Sequence, residues 1–167
     1  MELRLVRASS ADAATLQNLL LLYMHDFSEF WAWTAVGDLE PDGRYEDYPL
    51  DPYWDTPGWR AVLFEADGAL AGFALVNDHA HSSRPVDHAI AEFFVARKYR
   101  RQGLGKLAAH RLFGEARGQW EVAVVRKNLA AQAFWRRTVA ECPAAREVTE
   151  FDLDDARWNG PILRFRT

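Results

Sequence analysis

The chain has little cysteine, no long hydrophobic run and no excess of positive charge. Its single cysteine, Cys142, excludes an internal disulfide and a cysteine-rich zinc site, and it fits a reducing compartment. The longest apolar run, from Leu19 to Met24, is far shorter than the ~18 residues of a membrane span. The alternating charges of Met1 to Arg4 are unlike a signal peptide. The formal net charge of −4 argues against a general nucleic-acid binder. We therefore expect a cytoplasmic protein with no membrane or nucleic-acid partner.

The length and composition predict one globular domain over residues 1–167. A chain of 167 residues is typical of a single domain, and 49% hydrophobic with 26% charged residues is ordinary globular usage. Hydrophobic periodicity predicts helices at about 11–30, 104–116 and 129–139, the second capped by Gly118. It predicts strands at 3–7, 60–65, 70–76, 90–95, 121–125, 148–153 and 162–165, the last two joined by Asn159-Gly160-Pro161. This order indicates a mixed α/β layer fold whose first half is antiparallel.

The most informative segment is a basic, glycine-containing turn between a predicted strand and a predicted helix. Gly103 and Gly105 remove side chains where backbone amides could face a ligand, and the helix N-terminus adds its free N–H groups and positive dipole end. Five cations lie among the ten residues from Arg97 to Lys106. Together these features predict a cradle for an anion, most naturally a phosphate. The alternative is a solvated basic turn whose glycines serve tight packing.

Three phosphate-binding motifs compete for this turn. A Walker P-loop fails, because Arg100 and Leu107 stand where a glycine and a Ser or Thr are needed. A dinucleotide fingerprint is met literally by Gly103, Gly105 and Ala108. However, it lacks the acidic residue that should end the next strand. The remaining pattern is R-x-x-G-x-G, formed by Arg100, Gly103 and Gly105.

This third pattern resembles the acetyl-CoA-binding signature of the GNAT N-acetyltransferase superfamily. The segment 128–135, N-L-A-A-Q-A-F-W, resembles the second motif of that family, N-x-x-A-x-x-F-Y, and the element order matches along nearly the whole chain. The resemblance implies a mixed, mostly antiparallel central sheet flanked by helices, with a splayed strand pair that holds acyl-CoA. It also implies acetyl-CoA as co-substrate, with no metal.

By this resemblance, the pantetheine arm of CoA would pair with the backbone of the central strand, and its pyrophosphate would bind the amides of the turn. The cofactor-binding residues so implied are Phe93, Phe94, Val95, Arg100, Arg101, Gln102, Gly103, Leu104, Gly105, Lys106, Asn128 and Phe134. An exposed strand edge beside a helix N-terminus suits an amide-bearing arm that ends in a pyrophosphate. Core packing for Phe93 and Phe94, and a helix N-cap for Asn128, are the alternatives.

Amine acetylation needs a base, and Glu92 on the central strand is the candidate. Partial burial would raise its pKa toward a useful range. Strand alternation places it on the face of Phe94, not on that of Phe93 and Val95, unless a bulge intervenes. A structural glutamate is the alternative. The usual acid of the family is a tyrosine, and Trp135 holds its place without an acidic proton.

The segment from Asp26 to Trp59 suggests the acceptor. It contains nine acidic residues against one cation, Arg44, together with nine aromatic residues, and by resemblance it borders the acceptor site. Carboxylates and aromatic faces attract a cationic amine. Asp26, Trp31 and Tyr53 are therefore candidate substrate-binding residues. The alternative is an acidic, solvated loop whose aromatic side chains fill the core.

The sequence thus predicts an N-acetyltransferase that moves the acetyl group of acetyl-CoA to a small cationic primary amine. The alternative, which Trp135 favours, is a non-catalytic acyl-CoA-binding or sensing module. His79, His81 and His88 lack the spacing of a helical metal site, so no metal is expected. A homodimer is compatible with the sequence, which does not fix the oligomeric state.

Overall fold

A computed structural model of the chain describes residues 1–31 and 37–167. Four α-helices are present in this part: α1 Ala13–Phe27, α2 Pro52–Asp55, α3 Leu104–Glu115 and α4 Leu129–Ala140. The strands are β1 Leu3–Arg7, β2 Arg60–Ala66, β3 Ala69–Asn77, β4 His88–Val95, β5 Gln119–Ala123, β6 Arg146–Asp154 and β7 Asn159–Arg166. Short 3₁₀ turns span Ser10–Asp12, Ser28–Trp31 and Arg97–Tyr99. Trp33 of the acidic, aromatic segment lies outside the described residues.

The seven strands form one sheet in the order β1-β2-β3-β4-β5-β7-β6. Every neighbouring pair is antiparallel except β4 and β5, which are parallel. This parallel pair is joined only at His88↔Trp120 and Ala89↔Glu121, and the two strands separate beyond it. The predicted mixed, mostly antiparallel sheet with a splayed strand pair is confirmed.

A hydrophobic core lies on each face of the sheet. Strand β3 shows why, because its successive side chains alternate between the faces. Phe73 and Leu75 join the core under α1, whereas Ala74 and Val76 join the core under α3 and α4. In the described part of the chain, no helix is long and apolar enough to cross a membrane.

Two local expectations at the chain's turns are wrong. Helix α3 ends at Glu115, and Gly118, with φ +136°, pairs with Thr167 instead of capping the helix. The residues Asn159 to Pro161 begin β7, so the turn before this strand covers residues 155–158. Gly160 is needed there, because a side chain would collide with the backbone carbonyl of Val124.

Candidate active site

A cleft of about 590 Å³ opens where β4 and β5 separate. One side is formed by β4, α1 and the segment 46–49, and the other by residues 122–125, α4 and Trp158. Because the strands are unpaired here, their backbone groups at this edge are available to a ligand. The cleft therefore combines an open strand edge with side chains from both layers.

A β-bulge determines where Glu92 points. Val76 pairs with Ile90 and Leu75 pairs with Glu92, so Ala91 is an extra residue in β4. As a result, Ile90 joins the core under α3, whereas Glu92 faces α1 on the same side as Phe94. Bulges commonly re-aim a side chain in this way. The predicted shared face of Glu92 and Phe94 agrees with the structure.

Two tyrosines hold the Glu92 carboxylate. The Tyr48 hydroxyl donates to Oε1 of Glu92 at 3.1 Å, and Tyr23 on α1 is a second hydrogen-bond donor. Burial raises the pKa of Glu92 to about 7, although the hydrogen bonds from Tyr23 and Tyr48 lower it. Burial and the nearby carboxylate raise the pKa of both phenols above their usual range, so they remain protonated donors. This arrangement gives a carboxylate that exchanges its proton near neutral pH.

Tyr48 reaches Glu92 because Gln17 of α1 fixes its backbone. The Gln17 amide donates to the Tyr48 carbonyl at 2.7 Å and accepts from the Tyr48 N–H at 3.1 Å. Sequence reasoning did not select Tyr48 or Tyr23 as partners of Glu92. Tyr23 carries a signal, since it continues the buried spacing of Leu16 and Leu20. Tyr48 lies in a segment without periodicity and carries none.

The turn before α3 presents a row of free backbone amides. Arg101 and Gly103 adopt positive φ angles of 61° and 84°, and α3 begins directly afterwards. Within residues 1–31 and 37–167, no group accepts a hydrogen bond from the N–H groups of residues 101–106. A side chain at Gly105 would lie 3.3 Å from Phe134 and 3.5 Å from Val95, so this glycine lets the helix start close to β4 and α4. Free amides at a helix N-terminus form an anion site.

Most cations of this turn are engaged by other protein groups. Arg97 and Arg100 both pair with Asp26, and Arg100 also donates to the Val95 carbonyl at 2.6 Å. Lys106 pairs with Glu141 at 2.9 Å. The Gln102 side chain donates to the Lys98 carbonyl. Arg101 is exposed and has no partner within the described ranges.

Two of the predicted substrate-binding residues, Asp26 and Tyr53, are engaged by other protein groups. The Asp26 carboxylate forms ion pairs with the guanidinium groups of Arg97 and Arg100. Burial alone would raise its pKa, but the hydrogen bonds from Arg100 and Arg97 outweigh burial and lower it. Tyr53 is 4% exposed and lies in the core beside Tyr48, where its hydroxyl accepts from Asn77 at 3.3 Å. Trp31, in contrast, lines the cleft and packs on Phe27 at 4.8 Å between ring centroids.

The residues of the second sequence motif line the other side of the cleft. Asn128 caps α4 by accepting from the Ala131 N–H at 3.0 Å, and its side chain also borders the cleft. Trp135 is 6% exposed and meets the Phe93 ring edge to face at 4.9 Å. Phe94 differs, because its side chain packs under α1 against Phe73.

The chain belongs to the GNAT acetyltransferase family. The family model described as "Acetyltransferase (GNAT) family" matches residues 23–139, which contain the Glu92 strand, the glycine turn and α4. Membership implies an acyl-CoA-dependent acyltransferase. A sequence search of curated proteins gives no match.

Solved structures share the fold over nearly the full length of the chain. An acetyltransferase from Thermus thermophilus is 14% identical with a TM-score of 0.65, covering 99% of this chain and 96% of that one. The PaiA N-acetyltransferase from Thermoplasma acidophilum, solved with coenzyme A, is 17% identical with a TM-score of 0.58 and covers both chains fully. The diaminobutyrate acetyltransferase EctA from Paenibacillus lautus, solved with L-2,4-diaminobutyric acid and coenzyme A, is 17% identical. Its TM-score is 0.56, with 99% of this chain and 95% of that one covered.

Proposed function

We propose that this protein is an acetyl-CoA-dependent N-acetyltransferase that acetylates a small cationic primary amine, with Glu92 as its general base. The observation that carries the proposal is the Glu92 carboxylate, which lies in the cleft between the separated strands with a pKa raised to about 7. A base with a pKa near the working pH is the most effective proton acceptor.

The residues around the glycine turn fit the pyrophosphate of CoA. The free amides of residues 101–106 offer hydrogen-bond donors to an anion, and Arg101 adds a cation. The β4 backbone fits the pantetheine arm. Since the Ala96 N–H binds the Ala71 carbonyl on β3, antiparallel alternation turns the amides of Phe93 and Val95 toward the gap. When bound, acetyl-CoA supplies an activated acetyl thioester at this edge.

Glu92 would prepare the acceptor for reaction. An aliphatic amine arrives as an ammonium ion near neutral pH, and only its neutral form is a nucleophile. Ionised Glu92 accepts one proton of the ammonium, and the freed nitrogen lone pair attacks the acyl carbon. As the C–N bond forms, the C–S bond breaks and CoA leaves as the thiolate, which takes up the remaining excess proton of the nitrogen directly or through solvent. Tyr48 and Tyr23 orient the carboxylate through their hydrogen bonds. The amides of Phe93 and Val95 would stabilise the charge that develops on the acyl oxygen.

The walls of the cleft favour a cationic acceptor. Among the described residues that line it, Glu46, Asp47 and Glu92 are carboxylates, and none is a lysine or arginine. Trp31 and Trp158 also line the cleft and contribute aromatic rings to its walls. Carboxylates and aromatic faces both attract an ammonium ion, and the ionic part of this attraction weakens with salt.

Trp135 supports the second candidate, a non-catalytic acyl-CoA-binding or sensing module. Its indole packs against Phe93 in the place where the family motif has tyrosine, so the usual proton donor to the leaving thiolate is missing. Turnover separates the two candidates. A binding module would hold CoA and release none in the presence of any amine.

The test is an amine panel with acetyl-CoA, read as free CoA by a thiol reagent. We expect a polyamine or amino sugar to be acetylated in preference to a neutral-bodied arylamine of similar size. The KM for the cationic amine should rise with salt more steeply than the KM for acetyl-CoA, which the backbone amides hold. Acetyl-CoA binding by calorimetry without turnover of any amine would overturn the proposal in favour of the binding module. A preference for the arylamine, with no effect of salt on its KM, would contradict the proposal that the acceptor is cationic.

A further inference from the structure

A buried ion pair lies at the point where β4 and β5 separate. Glu121 and Arg164 are 1% and 8% exposed, and their charged groups are 2.6 Å apart. Glu121 is the residue of the last β4–β5 pair, opposite Ala89. A buried ion pair is weak evidence of stabilisation, because desolvation offsets the attraction between the charges. Its hydrogen bonds to a neighbouring loop point to another role.

The pair anchors the loop between β3 and β4, residues 78–87. Ser82 donates to Glu121 twice, from its hydroxyl at 2.5 Å and from its N–H at 3.1 Å. Arg164 donates to the Ser82 hydroxyl at 2.9 Å and to the Pro85 carbonyl at 2.6 Å. Since Ser82 is itself only 5% exposed, water does not compete for these bonds. The loop is thus held to both β5 and β7 at its centre.

The residue next to Ser82 enters the cleft. His81 lines it, and its ring meets Trp158 with the centroids 4.2 Å apart. Trp158 is fixed in turn, because its indole N–H donates to the Val124 carbonyl at 3.3 Å. The two rings form a wall on the β5 side, whereas Glu92 and Tyr48 lie on the β4 side.

We propose that Glu121, Arg164 and Ser82 are positioning residues for acceptor binding. They hold His81 against Trp158, and these two rings determine which acceptors fit the cleft. This inference rests on the proposed function. His81 and Trp158 would contact the part of the acceptor that carries the amine, away from the glycine turn. Replacing His81 or Trp158 should therefore raise the KM for the amine and leave the KM for acetyl-CoA unchanged.

The test compares KM values for the two substrates in His81→Ala, Trp158→Ala and Ser82→Ala. We expect the amine KM to rise about tenfold, the low end for loss of a pocket contact, with the acetyl-CoA KM within about twofold of the parent. Ser82→Thr keeps the hydroxyl and should restore the parent values. Glu150→Gln is the matched control, since it breaks the Arg136–Glu150 pair between α4 and β6 without touching the loop.

The ion pair is tested by replacing both partners together. Removing one partner would leave an unpaired buried charge, whereas an apolar pair is often tolerated, so we use Glu121→Leu with Arg164→Met. Hydrogen exchange should then show lost protection at the Ser82 N–H, and the amine KM should rise as in Ser82→Ala.

Three results would overturn the inference. The first is equal amine KM values in all variants, and the second is an acetyl-CoA KM that rises in parallel. Unchanged exchange at Ser82 in the double variant is the third. If the parent protein turns over no amine, the proposed function fails and this inference fails with it.

Discussion

Replacing Glu92 with glutamine should remove activity and stabilise the fold at the same time. The substitution keeps the shape of the side chain and an acceptor for the Tyr48 hydroxyl, but it removes the base and the charge. The folded-state pKa is raised from 4.5 to about 7, so the unfolded chain releases this proton at lower pH than the folded protein. The parent therefore loses stability as the pH rises from about 4.5 to 7, and the glutamine variant does not. At about 1.4 kcal/mol per unit, the difference approaches about 3 kcal/mol above pH 7.

The measurement is thermal unfolding of both proteins at several pH values from 5 to 9. We expect the two stabilities to be similar at pH 5 and the variant to be more stable at pH 8, by about 6–12 °C in melting temperature for a domain of this size. Turnover should fall by two or more orders of magnitude, typical of the loss of a general base. Glu65→Gln on β2, which breaks an ion pair with Arg4 on β1, is the control and should retain activity. Unchanged turnover, or a stability difference that is the same at pH 5 and pH 8, would refute the reasoning.

Variants at three further positions probe the site. In Tyr48→Phe, the lost hydrogen bond should raise the pKa of Glu92. The acid limb of kcat/KM against pH should therefore move to higher pH by about one unit. An unchanged acid limb would show that Tyr48 does not stabilise the ionised Glu92. At Gly103, the φ of +84° makes alanine cost about 1–2 kcal/mol of stability. Gly103→Asp adds a negative charge to the same strain, so calorimetry should show weaker CoA binding than in Gly103→Ala, and equal affinities would contradict the pyrophosphate assignment. Trp135→Tyr and Trp135→Phe should both retain turnover; loss of turnover in the phenylalanine variant at unchanged CoA affinity and stability would show that the indole N–H takes part.

The features that could be predicted from the sequence are those with local causes. The hairpin between β2 and β3 follows from Asp67-Gly68, which take positive φ angles of 49° and 79°. The start of α3 follows from the glycines of the basic turn. Each depends on conformational preferences within a few residues, so a short stretch of sequence is sufficient.

The features that escaped prediction depend on contacts between distant parts of the chain. Gln17 hydrogen-bonds to Tyr48, which lies 31 residues away in the sequence, and Asp26 pairs with Arg97, which lies 71 residues away. The ion pairs of Asp26 explain why a count of acidic residues overstates the charge available to an acceptor. The bulge at Ala91 also has no local signal, since β4 reads as an ordinary apolar strand.

The pairing between β4 and β5 is the shortest between neighbouring strands of the sheet. Two residue pairs connect β1–β4 to β5–β7, whereas β5 and β7 alone share five. Besides this pairing, the halves are tied together by the Ser82 anchor of the β3–β4 loop on β5 and β7, and by α3, whose Arg111 donates to the Leu3 carbonyl. A molecule that bonds to both strands of the gap would act as a cross-link, and at a concentration 100 times its Kd it adds about 2.7 kcal/mol to the unfolding free energy. Melting of this protein should therefore occur at a higher temperature when the gap is filled.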